Sequence, residues 1–340
     1  MSTGSGFRAG ITGLGAYVPE KVLTNSDLER MVETQDEWIV SRTGIRERRI
    51  ADPEQATSDL ALEAARDALA DARIDPEDLD LIIVATNTPD SLFPATACIV
   101  QDRLGASNAG AFDLLSGCTG FIYSLGVASQ FVVSGMYRHV LVIGAEVLSR
   151  IVDWEDRNTC VLFGDGAGAA VVGRVPGDRG LIYSRLGAYG AGGQHLYMPA
   201  GGSRMPASGK TVEERLHYIH MNGREVFKFA VRTCGEGSLE ALEKTGLTVQ
   251  DLDYLIPHQA NIRIIEAAAK RLDLPMEKVL VNVDRYGNTS TASIPMALKE
   301  AVEKGRIKDG NNIMMTGFGA GLTWAVALLR WYDYHNGPER

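Results

Sequence analysis

Ala68-Leu69, followed by Asp78-Leu79-Asp80, is answered 173 residues later by Ala241-Leu242, followed by Asp251-Leu252-Asp253. A duplicated fold keeps one offset over several elements, and chance agreement does not. The same offset carries Gly144, at the end of an expected strand, onto Gly317, also at a strand end. It puts Cys118 beside Thr291, both at strand-to-helix turns. These agreements predict an α/β protein of two similar halves, residues 1–178 and 179–340. Corresponding loops then meet near a pseudo-twofold axis, so a site should draw residues from both halves.

Working outward from that repeat, β-rich runs at 81–86, 111–115, 140–144 and 169–172 alternate with helical stretches at 58–72 and 120–133. The second half repeats the scheme with a helix at 222–245, a strand at 252–257 and a helix at 261–272. A strand at 279–283, a helix at 293–304 and a closing hairpin at 313–331 complete it. Such alternation reads as layered α/β architecture.

The length of 340 residues fits two domains or one domain of two halves, and 45% hydrophobic with 23% charged residues is an ordinary globular composition. A net charge of −9 and a pI near 5.3 argue against a broad nucleic-acid-binding face, which needs clustered Lys and Arg. The four cysteines, Cys98, Cys118, Cys160 and Cys234, lack CxxC pairing, so neither a metal site nor a disulfide framework is expected. A reducing, cytoplasmic setting fits that usage. Neither a leader at the N-terminus nor an apolar run of membrane-spanning length is read, so no membrane association is expected.

Ser116-Gly117-Cys118-Thr119-Gly120 follows a strand and opens a helix that is apolar nearly all round, which should be buried and central. A cysteine at a helix N-terminus faces unpaired amides and the positive dipole end, which favour thiolate. Cys98, Cys160 and Cys234 lack that glycine frame and read as small core residues. His258 follows directly on a strand, where α/β folds place their chemistry. The other five histidines lie in surface, turn or terminal contexts. In Gly287-Asn288-Thr289-Ser290 the asparagine serves either as a turn residue or as an amide donor to an oxyanion. The glycines of Gly317-Phe318-Gly319-Ala320-Gly321 leave backbone N–H groups free for a ligand. Phe163-Gly164-Asp165-Gly166-Ala167-Gly168 loosely imitates a dinucleotide fingerprint, but it leads into a β-like run, so Asp165-Gly166 is read as a hairpin turn.

With Cys118 in its glycine frame, His258-Gln259-Ala260-Asn261, Gly287-Asn288-Thr289-Ser290 and Gly317–Gly321 in that order, the chain resembles the β-ketoacyl-acyl-carrier-protein synthase III family. The motif Asp36-Glu37-Trp38-Ile39-Val40-Ser41-Arg42-Thr43-Gly44-Ile45-Arg46 adds to the resemblance, which runs from about Ala9 to Leu329. It implies a thiolase-like, five-layered αβαβα fold of two duplicated halves and a homodimer. It implies an acyltransferase that condenses an acyl-CoA primer, acetyl-CoA in the simplest case, with malonyl carrier protein to start fatty acid synthesis. Acyl-CoA is a substrate there, and no cofactor or metal is needed. By resemblance, Cys118, His258 and Asn288 are catalytic, and the backbone of Cys118 and Ala320 forms the oxyanion hole. Trp38, Arg42, Arg157 and Asn261 would meet coenzyme A and its pantetheine arm. Phe93, Met221 and Phe318 would form the acyl pocket, Phe93 reaching across the dimer. Lys228, Arg263, Lys270 and Arg271 would receive the acidic acyl carrier protein, with Arg263 and Lys270 seven residues apart on one helix face.

The chain departs from the family in two places. Ala320 stands where many members carry Gly, which a backbone donor tolerates at negative φ. Gly201–Pro206 lengthens a loop beside the expected tunnel. Two rival readings stay open on the sequence: an acyltransferase or secondary-metabolite ketosynthase of the same superfamily, and a cysteine hydrolase using Cys, His and Asn. The second lacks any sign of a peptide cleft.

Overall fold

The computed structural model describes residues 6–336; residues 1–5, where a leader would begin, lie outside that range. Each half opens with a long strand that the sequence reading did not include, because glycine and polar residues blur its two-residue alternation. The first half runs β1 (Phe7–Tyr17), α1 (Asp36–Thr43), α2 (Thr57–Ala72), β2 (Leu81–Ala85), α3 (Thr96–Leu104), β3 (Gly110–Leu114), α4 (Gly120–Val133), β4 (Val140–Glu146) and β5 (Gly166–Pro176). The second runs β6 (Gly180–Ala188), α5 (Gly223–Thr245), β7 (Tyr254–Pro257), α6 (Ile262–Arg271), α7 (Ser293–Glu303), β8 (Asn312–Gly319) and β9 (Thr323–Arg330).

The sheets are ordered β1-β5-β4-β2-β3 and β6-β9-β8-β7. In each, the strand that follows the outer helix runs parallel to its inner neighbour and the remaining shared pairings are antiparallel. The repeat read from sequence is thus a repeat in space. Gly120 and Ser293, 173 residues apart, start α4 and α7, and the 3-10 turns Gly117–Thr119 and Ser290–Ala292 precede them. The recurring aspartates have matching work: Asp80 accepts the backbone N–H groups of Arg138 and His139 at 2.6 and 3.0 Å, and Asp253 accepts that of Asn312 at 2.8 Å. Each ties down the start of the adjacent strand.

Alternation along the strands sorts side chains into layers. Leu81 and Ile83, Val140 and Val142, and Ile313 and Met315 enter a central core with Phe121, Leu125 and Val132 of α4 and Ile294 and Leu298 of α7. Ile82, Val84, Leu141 and Ile143 turn the other way onto Leu60, Ala64 and Ala68 of α2. Met314 and Val326 pack on Leu242 of α5 and Ile265 of α6. The stacking is therefore α, β, α, β, α. Each fully buried Leu or Ile in these layers contributes about 1.5–3 kcal/mol, and the central pair α4–α7 holds the two turns face to face.

Three expectations are corrected. The segment 279–283 forms no strand; Val279 makes one parallel bridge to Leu255, in the place β3 holds in the first half. Gln259 takes over the absent strand's bonds, donating from Nε2 to Leu280 O and accepting Asn282 N–H on Oε1. Asp165-Gly166 is not a hairpin turn. Phe163 bridges Asn288, Gly164 N–H donates to Asn288 O, and Gly166 begins β5, while the buried Asp165 carboxylate accepts Ala51 N–H and Ser149 N–H. Cys98 is exposed, unlike the buried Cys160 and Cys234, because α3 caps the sheet edge with one face only. Among the described residues, no helix is long and apolar enough to cross a membrane.

Candidate active site

The turn that carries Cys118 and the loop after β8 touch backbone to backbone. A methyl group on Gly117 (φ +62°) would stand 2.5 Å from Ala320 N, and one on Gly319 would stand 2.3 Å from Cys118 N. Only glycine allows this approach at both places. As a result the N–H groups of Cys118 and Ala320 both address the Cys118 sulfur. Ala320 itself lies outside the left-handed region, which Gly321 occupies at φ +76°. Alanine therefore meets the condition set for a backbone donor.

Burial pushes the Cys118 thiol up to about 12, and the Ser290 hydroxyl and the two amides offset this only in part. The nearby Glu146 carboxylate pushes it further in the same direction. Desolvation thus opposes the thiolate that the helix N-terminus favours.

His258 is buried, and its Nδ1 lies 2.7 Å from Ser293 Oγ. Ser293 Oγ also accepts the Gln259 N–H at 3.4 Å and keeps its own proton for a bond to Nδ1 in the tautomer protonated on Nε2. Nε2 has no protein partner and belongs to a side chain lining a cavity that also reaches Cys118 and Asn288. Burial holds the ring far below the usual histidine range, at about 3, so it stays neutral. Phe318 closes one edge of the ring, with centroids 5.3 Å apart. Asn288 Oδ1 accepts Ser290 N–H at 2.8 Å, which leaves its amide hydrogens for that cavity. Sequence reading missed Ser293, which looked like an ordinary helix-start serine; the only signal was its offset position opposite Gly120.

Two cavities meet at Cys118. One, of about 110 Å³, is lined by His258, Asn288, Asn261, Phe318 and Met221. The other, of about 240 Å³, is almost wholly apolar, with Leu115, Leu148, Ile151, Phe163, Leu196 and Ile219 on its walls. Met221 and Phe318, expected in the acyl pocket, therefore lie on the histidine side. Phe93 is 85% exposed and lines neither cavity. The loop 201–206 stays outside both cavities; Leu196, Tyr197 and Met198 just before it supply the wall.

The guanidinium groups of Arg157 and Arg42 stand 5.2 and 6.0 Å from the centroid of the Trp38 ring. Asn261 donates to Arg42 O at 3.0 Å and caps α6 through Arg263 N–H. The cavity with His258 is thereby joined to the Trp38 surface. Arg263, Lys270, Arg271 and Lys228 are all exposed around α6 and the start of α5. Two are partly neutralised, Lys228 by Glu225 at 2.7 Å and Arg271 by Glu236 at 3.2 Å. Among the described residues no cluster of three or more His, Cys, Asp or Glu side chains is arranged to hold a metal ion.

Residues 112–190 and 242–331 match the two family models described as 3-oxoacyl-[acyl-carrier-protein] synthase III and its C-terminal part. A β-ketoacyl-[acyl-carrier-protein] synthase III of Caldanaerobacter subterraneus subsp. tengcongensis is 66% identical, over 95% of this chain and 98% of its own. The chain belongs to the β-ketoacyl-acyl-carrier-protein synthase III family. The synthase III crystal structure from Thermus thermophilus superposes with a TM-score of 0.89 at 54% identity, covering 95% of this chain and 99% of that one. A priming β-ketosynthase from the R1128 polyketide pathway superposes with a TM-score of 0.87 at 39% identity, covering 97% and 98%. The chain is thus a thiolase-fold condensing acyltransferase of fatty acid biosynthesis, in a family that uses acyl carrier protein and acyl-CoA.

Proposed function

We propose that Cys118 carries the acyl group and that His258 and Asn288 serve the condensation step of this β-ketoacyl synthase III. The observation that carries the assignment is the meeting of the two cavities at Cys118, one apolar and one presenting the free donors of His258 and Asn288.

In the first half-reaction, acyl-CoA enters past Trp38, Arg42 and Arg157, with its pantetheine arm beside Asn261. Its thioester oxygen lodges against the N–H groups of Cys118 and Ala320, which stabilise the tetrahedral oxyanion. The acyl chain rests in the apolar cavity, so Leu148, Ile151, Phe163, Leu196 and Ile219 replace Met221 and Phe318 as its walls. The Cys118 sulfur bonds to the thioester carbon, the bond from that carbon to the CoA sulfur breaks, and CoA leaves as a thiol with the proton that Cys118 gave up; malonyl carrier protein then follows the same route, docking on Arg263, Lys270, Arg271 and Lys228. Neutral His258 donates from Nε2 and Asn288 from Nδ2 to the malonyl thioester oxygen. Loss of CO₂ leaves an electron pair on the α-carbon, and that carbon attacks the acyl thioester. The new C–C bond forms, the C–S bond to Cys118 breaks, and a β-ketoacyl carrier protein departs.

The enzyme is read as a cytoplasmic homodimer that divides at residues 178 and 179 and needs no cofactor. Exposed Leu92, Phe93 and Leu115, at 83, 85 and 77%, support the dimer. Leu115 also lines the apolar cavity, so a partner's Phe93 would close it. The division falls between β5 and β6. Incubation with labelled acyl-CoA alone tests the assignment: label belongs on Cys118, and label on Cys98, Cys160 or Cys234 instead would overturn it.

A further inference from the structure

Asn288 opens a turn with an unusual backbone. Ser290 N–H donates to Asn288 Oδ1 at 2.8 Å, and Ser290 reaches that position with φ at +49°, in the left-handed region where a residue with a side chain is strained. Such a conformation persists only where its surroundings hold it. The backbone of Asn288 itself is pinned, its N–H donating to Leu162 O at 2.8 Å and its O accepting Gly164 N–H at 3.1 Å. The strained residue and its successor are held by another group.

That group is Glu146, at the end of β4 and fully buried. Its Oε1 accepts the Thr291 hydroxyl at 3.1 Å and Asn87 Nδ2 at 2.5 Å. Asn87 Nδ2 also donates to Ser290 Oγ at 3.1 Å, so the carboxyl holds Thr291 directly and Ser290 through one amide. Its Oε2 fixes Asn87 by accepting the backbone N–H at 2.9 Å, with the hydroxyls of Thr88 and Thr86 at 2.9 and 3.3 Å. Glu146 and Asn87 belong to the first half and the turn to the second, so these ties cross the contact between them. Burying a carboxyl among neutral donors costs more than filling the same space with an apolar side chain. What the carboxyl adds is direction, because each bond it accepts fixes an atom in place.

We propose that Glu146, acting through Asn87 and Thr291, positions the amide of Asn288 for the condensation step. The inference rests on the assignment of Asn288 as a donor to the malonyl thioester oxygen. With Ser290 and Thr291 latched, the Ser290 N–H occupies Asn288 Oδ1, and the Nδ2 hydrogens are left for the cavity shared with His258 and Cys118. Once the latch is cut, the turn can leave the left-handed conformation, and the amide of Asn288 loses its fixed orientation. Glu146, Asn87 and Thr291 are therefore positioning residues for a donor that another residue supplies. Acylation draws on the N–H groups of Cys118 and Ala320, which lie on other turns, so the latch serves the second half-reaction.

Single-turnover release of CO₂ from malonyl carrier protein tests the latch, measured on enzyme first acylated to completion so that acylation rates do not enter. Asn87→Ala cuts the tie to Ser290, and Thr291→Val cuts the direct tie while keeping the shape of the side chain. Each should lower the limiting rate by about tenfold or more, because a displacement near 1 Å costs up to about 10²-fold. The half-saturating concentration of malonyl carrier protein should stay within about threefold of wild type. In an Asn288→Ala background each should cost less than about twofold further, because both act through that amide. A role in the fold alone would repeat the same loss in both backgrounds. Thermal melts establish that the variants are folded. Either variant, folded and releasing CO₂ at the wild-type rate, overturns the latch, as does a loss that recurs undiminished without the Asn288 amide. Asn288→Ala that releases CO₂ at the wild-type rate overturns the reading of Asn288 instead, a result seen in that single variant alone.

Discussion

Gly319→Ala tests the oxyanion hole without removing a functional group. Gly319 is extended, at φ −164° and ψ −173°, so alanine meets no backbone strain there. Its added Cβ would stand 2.3 Å from Cys118 N, 3.0 Å from Gly117 C and 3.2 Å from Cys118 Cα, all backbone atoms that no rotamer change can move. Restoring ordinary contact near 3.4 Å requires the Cys118 turn and the Ala320 loop to part by about 1 Å. A donor must lie within about 2.7–3.1 Å of the oxyanion, so a parting of that size takes one of the two N–H groups out of range. Loss of one donor costs about 10²–10³ in rate, or roughly 2.7–4 kcal/mol of transition-state stabilisation. The clash itself should lower stability by about 1–3 kcal/mol. Single-turnover acylation, read beside a thermal melt, separates the two effects, and Ala320→Gly is the control that keeps both donors. A cooperatively folded Gly319→Ala that acylates within about threefold of wild type would refute the reasoning.

Asn288→Ala should cost decarboxylation and condensation about 10²-fold or more while acylation of Cys118 survives; equal losses in both steps would mean that Asn288 only shapes its turn. The decarboxylation rate should show no inflection near pH 6.5, because His258 stays neutral in the folded protein down to about 3. The sign for stability follows: unfolded His258 binds a proton below about 6.5 and the folded side chain does not, so stability should fall by at most about 1.4 kcal/mol per unit as pH drops through that window. His258→Gln should flatten part of that dependence in urea titrations, and an unchanged slope would show that the ring protonates in place. Arg263→Glu should raise the apparent KM for malonyl carrier protein and reduce its salt sensitivity, with carrier-free acylation changed less; unaltered kinetics would move the docking site elsewhere.

The layering, the central helix α4 and the reactive turn were legible because each is a local pattern: an apolar run, a glycine frame, a residue at a strand end. The strands β1 and β6 were not, since their place depends on pairing with β5 and β9, partners about 160 and 140 residues away in the chain. The 279–283 segment misled for the opposite reason. Its apolar alternation is real, and the side chain of a single residue, Gln259, replaces the ladder that would have made it a strand. At the site, the residues with conspicuous chemistry stood out, and the one that aims His258 did not. Ser293 reads as a helix cap, because its contact with His258 forms only where the loop after β7 meets the start of α7.

The contact between the two halves also explains why one of two equivalent turns can hold the nucleophile. Gly117 and Ser290, 173 residues apart, share a left-handed backbone at φ +62° and +49°, and Cys118 and Thr291 follow them. The loop after β8 lies against the first turn with the Ala320 N–H aimed at the sulfur, and two cavities reach Cys118. Against the second turn, Gly144 of β4 packs so closely that a Cβ there would stand 2.3 Å from Thr291 O. The Thr291 hydroxyl is consumed by Ala85 O and Glu146. A nucleophile at 291 would have neither room for a substrate nor donors for its oxyanion.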